Sequence, residues 1–549
     1  MVPIIFNGKS MKLLFISLFI TGSLYAQIKS NRFSEKPDSI ATHKVVLDNQ
    51  SKLISWIVPQ SKAYDRFLHQ RWNFIKTKVP YSPGPAPRSS YPQYYFYCDY
   101  DNKNFGVPGS WMNDIGEKIP NWFESARLYY AYTGDASVMD IIKDFIDYTM
   151  EHGTSPSSFS WPDFPYTTTN AGDLDFRGFT DSKKLVLHEI QVDHAGDMGL
   201  TYYRMFLFTG DVKYKTAAIN VANTLAKYAR KGSATQSVWP YRVVMSTGKI
   251  TAEYGANWTG CYSLLDGLVK ANLGNVAAYQ NALVKARDFI LQYPMKTGYW
   301  TDGHSDTDVN SNTYKSNMSA SNATLYMFDH PEFDPDFKTH LPELIKWTEE
   351  YFVFRCVPGE PAVQWGANIV GEQDMFLPKM DYQTARYAAE CARWYAVSGD
   401  ETYKEKAYRS LNWVTYCNDR DGMAFESPLS KGVSSWWSDC YGECPRMFYH
   451  VFAAVPEWAP PGQNHILYSE GVLKNVSYQD RKVEYTSTVN NGTEFLRLAF
   501  KPEIITINGK HISVCEDLTQ EGYILKDLGH GDHALTIFHK KAGVIQITR

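Results

Sequence analysis

The amino-acid sequence predicts a mainly α-helical protein, an (α/α)6 toroid followed by a small C-terminal β-sandwich domain. Two observations predict the helical part: a repeated Thr/Ser-Gly-Asp turn between amphipathic stretches, and a spacing between these turns that suits helical hairpins. A third observation, the change to short β-rich runs after residue 460, predicts the sandwich. The chain has 549 residues, which is enough for one large domain and one smaller one.

The N-terminus has the features of a signal peptide. Lys12 precedes an apolar run over residues 13–20, and small residues then lead to Ala26, after which we predict cleavage. Met11 is the expected start, and residues 1–26 are assigned to the signal. Because the apolar run is too short for a lasting membrane anchor, we predict an exported protein with no membrane span. Its expected location is the periplasm, the cell surface or the medium.

The repeated turn joins two helices in each hairpin. It occurs three times, with a weaker copy at a fourth place: Gly134, Gly210, Gly399 and Gly274. Glycine adopts the left-handed conformation that ends a helix, and the following Asp or Asn caps the next helix. A further turn is expected at residues 331–335, which gives five hairpins. Residues 52–78, with a turn at Pro59, are expected to supply the sixth.

The C-terminal part is expected to be a separate β-sandwich. Four short β-rich runs are separated by Gly- and Asn-containing turns: residues 483–488, 495–500, 504–507 and 534–537. We therefore assign residues 27–459 to a catalytic toroid and residues 460–549 to the sandwich, whose expected role is structural.

Composition favours a sugar as the partner. Aromatic residues make up 15% of the chain, and flat rings pack against sugar faces as well as inside large cores. The formal net charge of −4 gives no reason to expect nucleic acid as a partner.

Titratable residues are concentrated in one loop, residues 160–197. Four of them are predicted to be catalytic: His188, Glu189, Asp193 and His194. If this stretch were helical, Glu189 and Asp193 would share a face. The two histidines are six positions apart, which excludes the H-E-x-x-H zinc motif. Arg177 in the same loop is predicted to bind substrate.

Further candidates lie in other loops between the predicted hairpins. Tyr254 and Tyr262 flank a helix entry and are predicted to be catalytic. Substrate binding is predicted for the remaining candidates: Asn257, Trp258, His304, Trp365, Arg386, Trp436 and Trp437. No stretch has calcium-loop or zinc-ligand spacing, so we predict neither a metal nor another cofactor.

With a signal peptide, helical hairpins and a β-rich tail, the chain resembles exported (α/α)6 enzymes of Bacteroidetes polysaccharide-utilisation systems. Within that group it is similar to uronate-processing polysaccharide lyases and related β-eliminating enzymes, and to exo-β-glucuronidases. The resemblance is one of architecture, and no catalytic signature transfers residue by residue. It implies an enzyme acting on uronic-acid-containing oligosaccharides or polysaccharides.

Two reactions are consistent with these candidates. β-Elimination at a uronate needs neutralisation of the carboxylate, a base for the C5 proton and an acid for the leaving oxygen, which is a sugar or water. Hydrolysis needs two carboxylates across the scissile bond. The abundance of His and Tyr in the loops favours elimination, and a glycoside hydrolase is the alternative. A non-catalytic glycan-binding protein is a third possibility, which would not need the cluster of titratable residues.

Overall fold

The computed structural model describes residues 40–79, 113–169, 176–181, 184–301, 315–355, 361–374, 379–429 and 437–549. The predicted signal peptide lies outside these residues. The longer helices in the described parts are α1 (Ala63–Thr77), α2 (Ile115–Thr133), α3 (Ser137–His152), α4 (Val192–Thr209), α5 (Val212–Tyr228), α6 (Thr259–Lys270), α7 (Val276–Gln292), α8 (Asn317–Asp329), α9 (Phe337–Thr348), α10 (Asp381–Ser398), α11 (Glu401–Thr415) and α12 (Cys444–Ala454). Shorter helical segments are Gln60–Lys62, Pro294–Thr297, Pro331–Phe333, Glu349–Val353, Trp437–Glu443 and Pro456–Trp458.

The five predicted hairpins are confirmed, as α2–α3, α4–α5, α6–α7, α8–α9 and α10–α11. Gly210 has φ +79°, the left-handed conformation that ends α4. The Asp211 carboxylate then accepts a hydrogen bond of 2.9 Å from the backbone N–H of Lys213 and caps α5. The same arrangement recurs at Gly399 and Asp400, so the repeated tripeptide encodes the turn directly.

The expectation for the sixth hairpin is wrong, because residues 52–78 supply only one long helix. Leu53–Ile54 is a short strand, and the chain passes Pro59 before α1 begins. The partner of α1 is α12, at the far end of the helical part: Phe67 stacks on Phe448 with ring centroids 4.7 Å apart. Tyr64 meets the same Phe448 edge-on at 5.6 Å. The two ends of the helical part therefore contact each other through aromatic rings.

Six helices form an inner set. In cyclic order α2, α4, α6, α8, α10 and α12 each contact the next, and α12 contacts α2. Helix α2 is buried along nearly its whole length, whereas its partner α3 buries one apolar face. A helix buried on all sides belongs inside the molecule, and an amphipathic one at its surface. The first helices of the five hairpins, together with α12, thus contact one another in a closed cycle.

Short strands lie before and between the hairpins. They are β1 (Val46–Leu47), β2 (Leu53–Ile54), β3 (Asn113–Asp114), β4 (Thr168–Thr169), β5 (Gly178–Asp181), β6 (Lys184–Leu187), β7 (Glu189–Gln191), β8 (Arg242–Val244), β9 (Lys249–Ala252), β10 (Val363–Gln364) and β11 (Ala367–Asn368). Strand β7 is a correction to the helical interpretation of this segment, because Glu189 pairs with Val244 across a sheet and the helix begins only at Val192.

The last part of the chain is made of strands. They are β12 (His465–Ser469), β13 (Leu473–Gln479), β14 (Lys482–Ser487), β15 (Gly492–Leu498), β16 (Ile504–Ile507), β17 (Lys510–His511), β18 (Gly522–Gly529), β19 (Asp532–His539) and β20 (Gly543–Thr548). One sheet has the order β12-β15-β19-β18 and the other β13-β14-β20-β16-β17. Alternate apolar residues of both sheets share one buried cluster, which includes Val483, Leu496 and Ile545.

The two sheets pack against α2. The His465 ring stacks on Tyr132 with centroids 4.0 Å apart. Arg127 donates hydrogen bonds to the backbone carbonyls of Ser469, at 2.9 Å, and Gly471. Within the described residues, no helix is both long and apolar enough to cross a membrane.

Candidate functional site

A cavity of about 160 Å³ lies among the inner helices. Many of its lining residues are polar, although helices in this position usually present apolar faces to one another. The polar lining residues include Glu117, Asn121, Glu124, Arg127, His194, Asp197, Arg204, Asn257, Asn322, Asp329, His330, Arg386, Arg446, His450, Tyr468 and Glu470. Tyr468 and Glu470 come from the end of β12 and the residues after it, so the sheet part also contributes to the wall.

A row of hydrogen bonds runs along one side of this cavity, across successive inner elements. The Asn257 amide donates to Asp193 Oδ2 at 3.4 Å, and the Asn322 amide donates to Asn257 Oδ1 at 3.0 Å. Arg386 Nη1 then donates to Asn322 Oδ1 at 2.7 Å. The other end of the Arg386 guanidinium contacts Glu443. The row fixes the orientation of both amides, because each one donates and accepts within it.

Arg386 is a buried cation. Burial, with the charge of Arg446 nearby, lowers the pKa of the Arg386 guanidinium to about 9. Arg446 also donates to Glu443 Oε1, at 3.0 Å, so two guanidinium groups share one carboxylate. Such a pair offers donors in a fixed geometry that suits a planar anionic group.

His194 lies in the first turn of α4, with Nδ1 3.2 Å from Asp114 Oδ1. Burial alone would lower the pKa of this imidazole, but the carboxylates of Asp114 and Asp193 outweigh it and raise the pKa to about 10. The ring is therefore protonated at neutral pH and can donate from both nitrogens. A Cβ on Gly116 would lie 2.8 Å from the Cβ of His194, so α2 approaches the histidine closely because residue 116 has no side chain.

Asp197 is one turn further along α4 and lines the same cavity. Burial raises the pKa of its carboxyl group to about 7; His194 opposes the shift and Asp193 adds to it. The carboxyl packs against Gly260, where it fills the space that a side chain would need. An acid whose pKa is near 7 can both take up and release a proton at neutral pH.

The middle of the cavity holds a buried ionic cluster. Glu124 accepts from Arg127 Nε at 2.8 Å and from Arg204 Nη1 at 2.6 Å. Burial would raise the pKa of Glu124, but the two arginines outweigh it and lower the pKa to about 2. Glu124 is thus ionised throughout the neutral range, and its negative charge is already paired with Arg127 and Arg204.

The far end of the cavity is formed with help from the sheets. Tyr468 donates to Asp329 Oδ2 at 2.5 Å, and His330 Nε2 lies 3.2 Å from Glu470 Oε1. Burial lowers the pKa of His450, whose ring lies 4.5 Å from that of Tyr468, to about 3. His450 is therefore neutral, and its buried Nδ1 has no hydrogen-bond partner among the described residues.

Carboxylates that could hold a cation lie next to this row. One oxygen from each of Glu117, Asp439 and Glu443 lies within 4.8 Å of the others. Taken together, the cavity offers a buried cation with aligned amides, a protonated imidazole and a carboxyl group that titrates near neutrality.

Three residues predicted from the sequence lie on the cavity wall: His194, Asn257 and Arg386. Asp193 does not line the cavity, but it is buried behind the wall and bonded to Asn257. The roles of these four residues stay predictions.

The other predicted catalytic residues lie outside the cavity wall. His188 sits between β6 and β7 with φ +62°, and its Nδ1 is 2.7 Å from the Tyr166 hydroxyl. Glu189 is buried in β7. Tyr254 stacks on Tyr299 with centroids 5.2 Å apart.

Tyr262, Trp258 and Trp365 also lie outside the wall. Tyr262 meets Phe333 edge-on at 5.0 Å. Trp258 is fully buried and donates to the Gly255 carbonyl, and Trp365 occupies a tight turn between β10 and β11 with φ +45°.

Among the remaining predicted substrate-binding residues, Arg177 is exposed just before β5. His304, Trp436 and the side chain of Trp437 lie outside the described residues.

Several wall residues come from within helices and not from loops. Two pairs of polar residues lie three or four positions apart in otherwise apolar helices: Glu124 with Arg127, and Arg446 with His450. That spacing puts both members of each pair on one helix face. The sequence shows this pattern, but the predicted site residues were taken mainly from loops.

The fold is similar to solved structures of sugar-converting enzymes. A cellobiose 2-epimerase from Spirochaeta thermophila has a TM-score of 0.50 at 9% identity, over 73% of this chain and 98% of that one. A D-mannose isomerase has a TM-score of 0.48 at 12% identity, over 72% and 96%. An unsaturated glucuronyl hydrolase from Streptococcus agalactiae has a TM-score of 0.42 at 11% identity, over 76% and 98%. No protein-family model and no curated sequence matches the chain. At these identities the likeness concerns the fold alone.

Proposed function

We propose that this chain is a carbohydrate-processing enzyme that acts on uronic-acid-containing oligosaccharides by β-elimination in the cavity among its inner helices. The observation that carries the proposal is the position of Arg386 beside Asn257 and Asn322, a buried cation in line with oriented amides. Such a set neutralises a carboxylate and accepts the charge that develops when the neighbouring C–H bond breaks.

The proposed reaction uses two residues of α4. The Asp197 carboxylate takes the C5 proton, and the C–H electrons form the C4–C5 double bond. The bond from C4 to the leaving oxygen breaks, and that oxygen receives a proton from the His194 imidazolium. The raised pKa of Asp197 supports its role as base, and the protonated state of His194 supports its role as acid. The leaving group is a sugar in a lyase and water in a dehydratase.

The architecture behind this proposal is an (α/α)6 toroid over residues 27–459 and a β-sandwich over 460–549. The cyclic contacts of the inner helices and the likeness to the epimerase fold support the toroid. The two sheets around one apolar cluster support the sandwich. Export through the N-terminal signal is part of the same proposal.

Hydrolysis is the second candidate, favoured by one observation. Asp193 and Asp197 are two carboxyl groups a single turn apart in α4, and burial raises the pKa of Asp197 to about 7. A carboxyl group with a raised pKa serves as the acid in glycosidases, beside a second carboxylate. The name of the glucuronyl hydrolase with a related fold is consistent with this alternative. A protein that only binds glycans would have no need of the titratable residues on the cavity wall.

The test is to incubate the purified protein with uronate-containing oligosaccharides and to follow the ultraviolet absorbance of a conjugated unsaturated uronate. We expect the absorbance to rise, and the product masses then show whether a sugar or water has left. Asp197→Asn should abolish the rise. Asp480→Asn, at an exposed carboxylate of the β13–β14 turn, should not. Release of a saturated uronic acid without a rise in absorbance would replace elimination by hydrolysis.

A further inference from the structure

Three carboxylates from two elements converge next to the Arg386 row. Glu117 lies in the first turn of α2, and Asp439 and Glu443 lie in the helical segment Trp437–Glu443. One oxygen of each carboxylate is within 4.8 Å of the other two. We propose that these three residues bind a divalent cation of the calcium class, which joins α2 to the segment Trp437–Glu443.

The state of Glu443 points to a missing ligand. Its side chain is completely buried, and its Oε1 accepts from Arg446 at 3.0 Å and contacts Arg386. Its other oxygen, Oε2, is also buried and has no hydrogen-bond partner among the described residues. One oxygen of this carboxylate belongs to the cluster, so Oε2 is either that oxygen or the one bonded to the same carbon. A buried, ionised oxygen without a partner is costly, and a bound cation removes this cost.

The ligand chemistry indicates a hard cation. All three side chains offer carboxylate oxygens, which calcium binds at 2.3–2.6 Å with flexible geometry and with water at the remaining positions. Two oxygens bound to one such ion are at most about 5 Å apart, and the three oxygens of the cluster all lie within 4.8 Å of one another. Zinc prefers nitrogen and sulfur ligands, and none is among the three. The site does not depend on the reaction proposed for the cavity.

Calcium titration of the full-length protein tests the site. The protein is treated with a chelator, dialysed and titrated with CaCl2 in a calorimeter, and its thermal unfolding is recorded with and without calcium. We expect one saturable site and an unfolding temperature that rises with calcium concentration. Asp439→Asn should weaken calcium binding at least about tenfold, since loss of a supporting residue alone has that effect at metal sites. Glu405→Gln, at a surface carboxylate paired with Lys52 and Arg409, is the matched control and should bind calcium normally.

Asp439 is chosen because Glu443 also holds the two arginines, so its loss would disturb the cavity as well. Glu117→Gln is the second variant, in case Asp439→Asn does not fold, and the same loss of affinity is expected. The proposal is overturned if the wild type gives no saturable calcium binding. It is also overturned if both cluster variants bind calcium as tightly as Glu405→Gln, or if zinc binds at this site more tightly than calcium.

Discussion

Asp197 combines a raised pKa with a place on the cavity wall, and its protonation state should control activity. Its folded-state pKa of about 7 lies above the ordinary value of about 3.9 for aspartate. If its carboxylate is the base in an elimination, kcat/KM should rise as the pH passes about 7. His194, with a pKa of about 10, stays protonated over this range and does not change the pH dependence of kcat/KM. Rate measurements from pH 5 to 9 at fixed ionic strength provide the check.

Asp197→Asn should lower kcat/KM by about 10²–10⁴-fold, the usual contribution of one proton-transfer group. It should also alter stability with a definite sign. A carboxyl group with a raised folded pKa stabilises the protein at low pH, and this stability is lost as the pH rises through about 7. The variant should therefore unfold at a higher temperature than the wild type at pH 8, and this advantage should disappear at pH 4. A kcat/KM that instead falls as the pH rises through 7 would identify the protonated acid of a hydrolase.

Gly116 is expected to be needed for the position of His194. A Cβ at this residue would be 2.8 Å from the Cβ atoms of both His194 and Thr167. Replacing glycine by alanine inside a helix normally stabilises it by about 0.5–1 kcal/mol. We expect Gly116→Ala instead to lower activity, because the imidazole moves away from Asp114. The fall in its pKa from about 10 can be followed by NMR titration of the histidine. An unchanged titration together with unchanged activity would contradict the account of this contact.

The sequence predicted part of the wall at the residue scale. His194, Asn257 and Arg386 were predicted from their residue types in segments between the predicted hairpins, and they do line the cavity. Glu189 was grouped with them because the sequence does not show that a strand pairs residues 189–191 with 242–244 before α4 begins. This pairing depends on a contact between distant segments, which local propensity does not encode.

At the scale of elements, the pairing of α1 with α12 is the main feature that local patterns did not predict. The turn tripeptides identify hairpins whose two helices are adjacent in the sequence. No turn joins α1 to α12, since about 370 residues separate them. Their complementary aromatic faces, with Phe67, Tyr64 and Phe448, become visible only when the two helices are placed together.

Phe448→Ala should therefore be strongly destabilising. The side chain is fully buried, and removing a buried Phe typically costs about 3–5 kcal/mol. The midpoint of urea-induced unfolding, followed by circular dichroism, should fall accordingly. Val284→Ala, at an exposed position of α7, is the control and should change stability by less than about 0.5 kcal/mol. Equal effects of the two substitutions would show that α1 and α12 do not form a packed pair.

On the scale of the whole molecule, the helical part and the sheets share contacts that should make them unfold together. Ala131 of α2 belongs to the apolar cluster of the sheets, and Arg127 of the same helix bonds to the Ser469 and Gly471 carbonyls. We expect a single calorimetric transition whose calorimetric and van't Hoff enthalpies agree. Arg127→Met should split this transition. Two well-separated transitions in the wild type would mean that the interface contributes little.

The overall architecture followed from the sequence more fully than the site did. Helix ends were encoded by Gly-Asp turns and strands by alternating apolar residues, and both are short-range signals. Short-range signals did not predict that Tyr468 and Glu470 line the cavity, because the sequence assigned their segment to the sheets alone. The packing of β12 on α2 and α12 brings them to the inner helices.

The meeting of α1 and α12 also affects how the molecule is made. Contacts between residues as far apart as 67 and 448 close a very long loop, which lowers the conformational entropy of the chain. Such contacts therefore form late in folding. Helices that emerge early from the ribosome expose the apolar faces that α12 will cover. The nascent chain is thus prone to aggregation until its residue 454 is available.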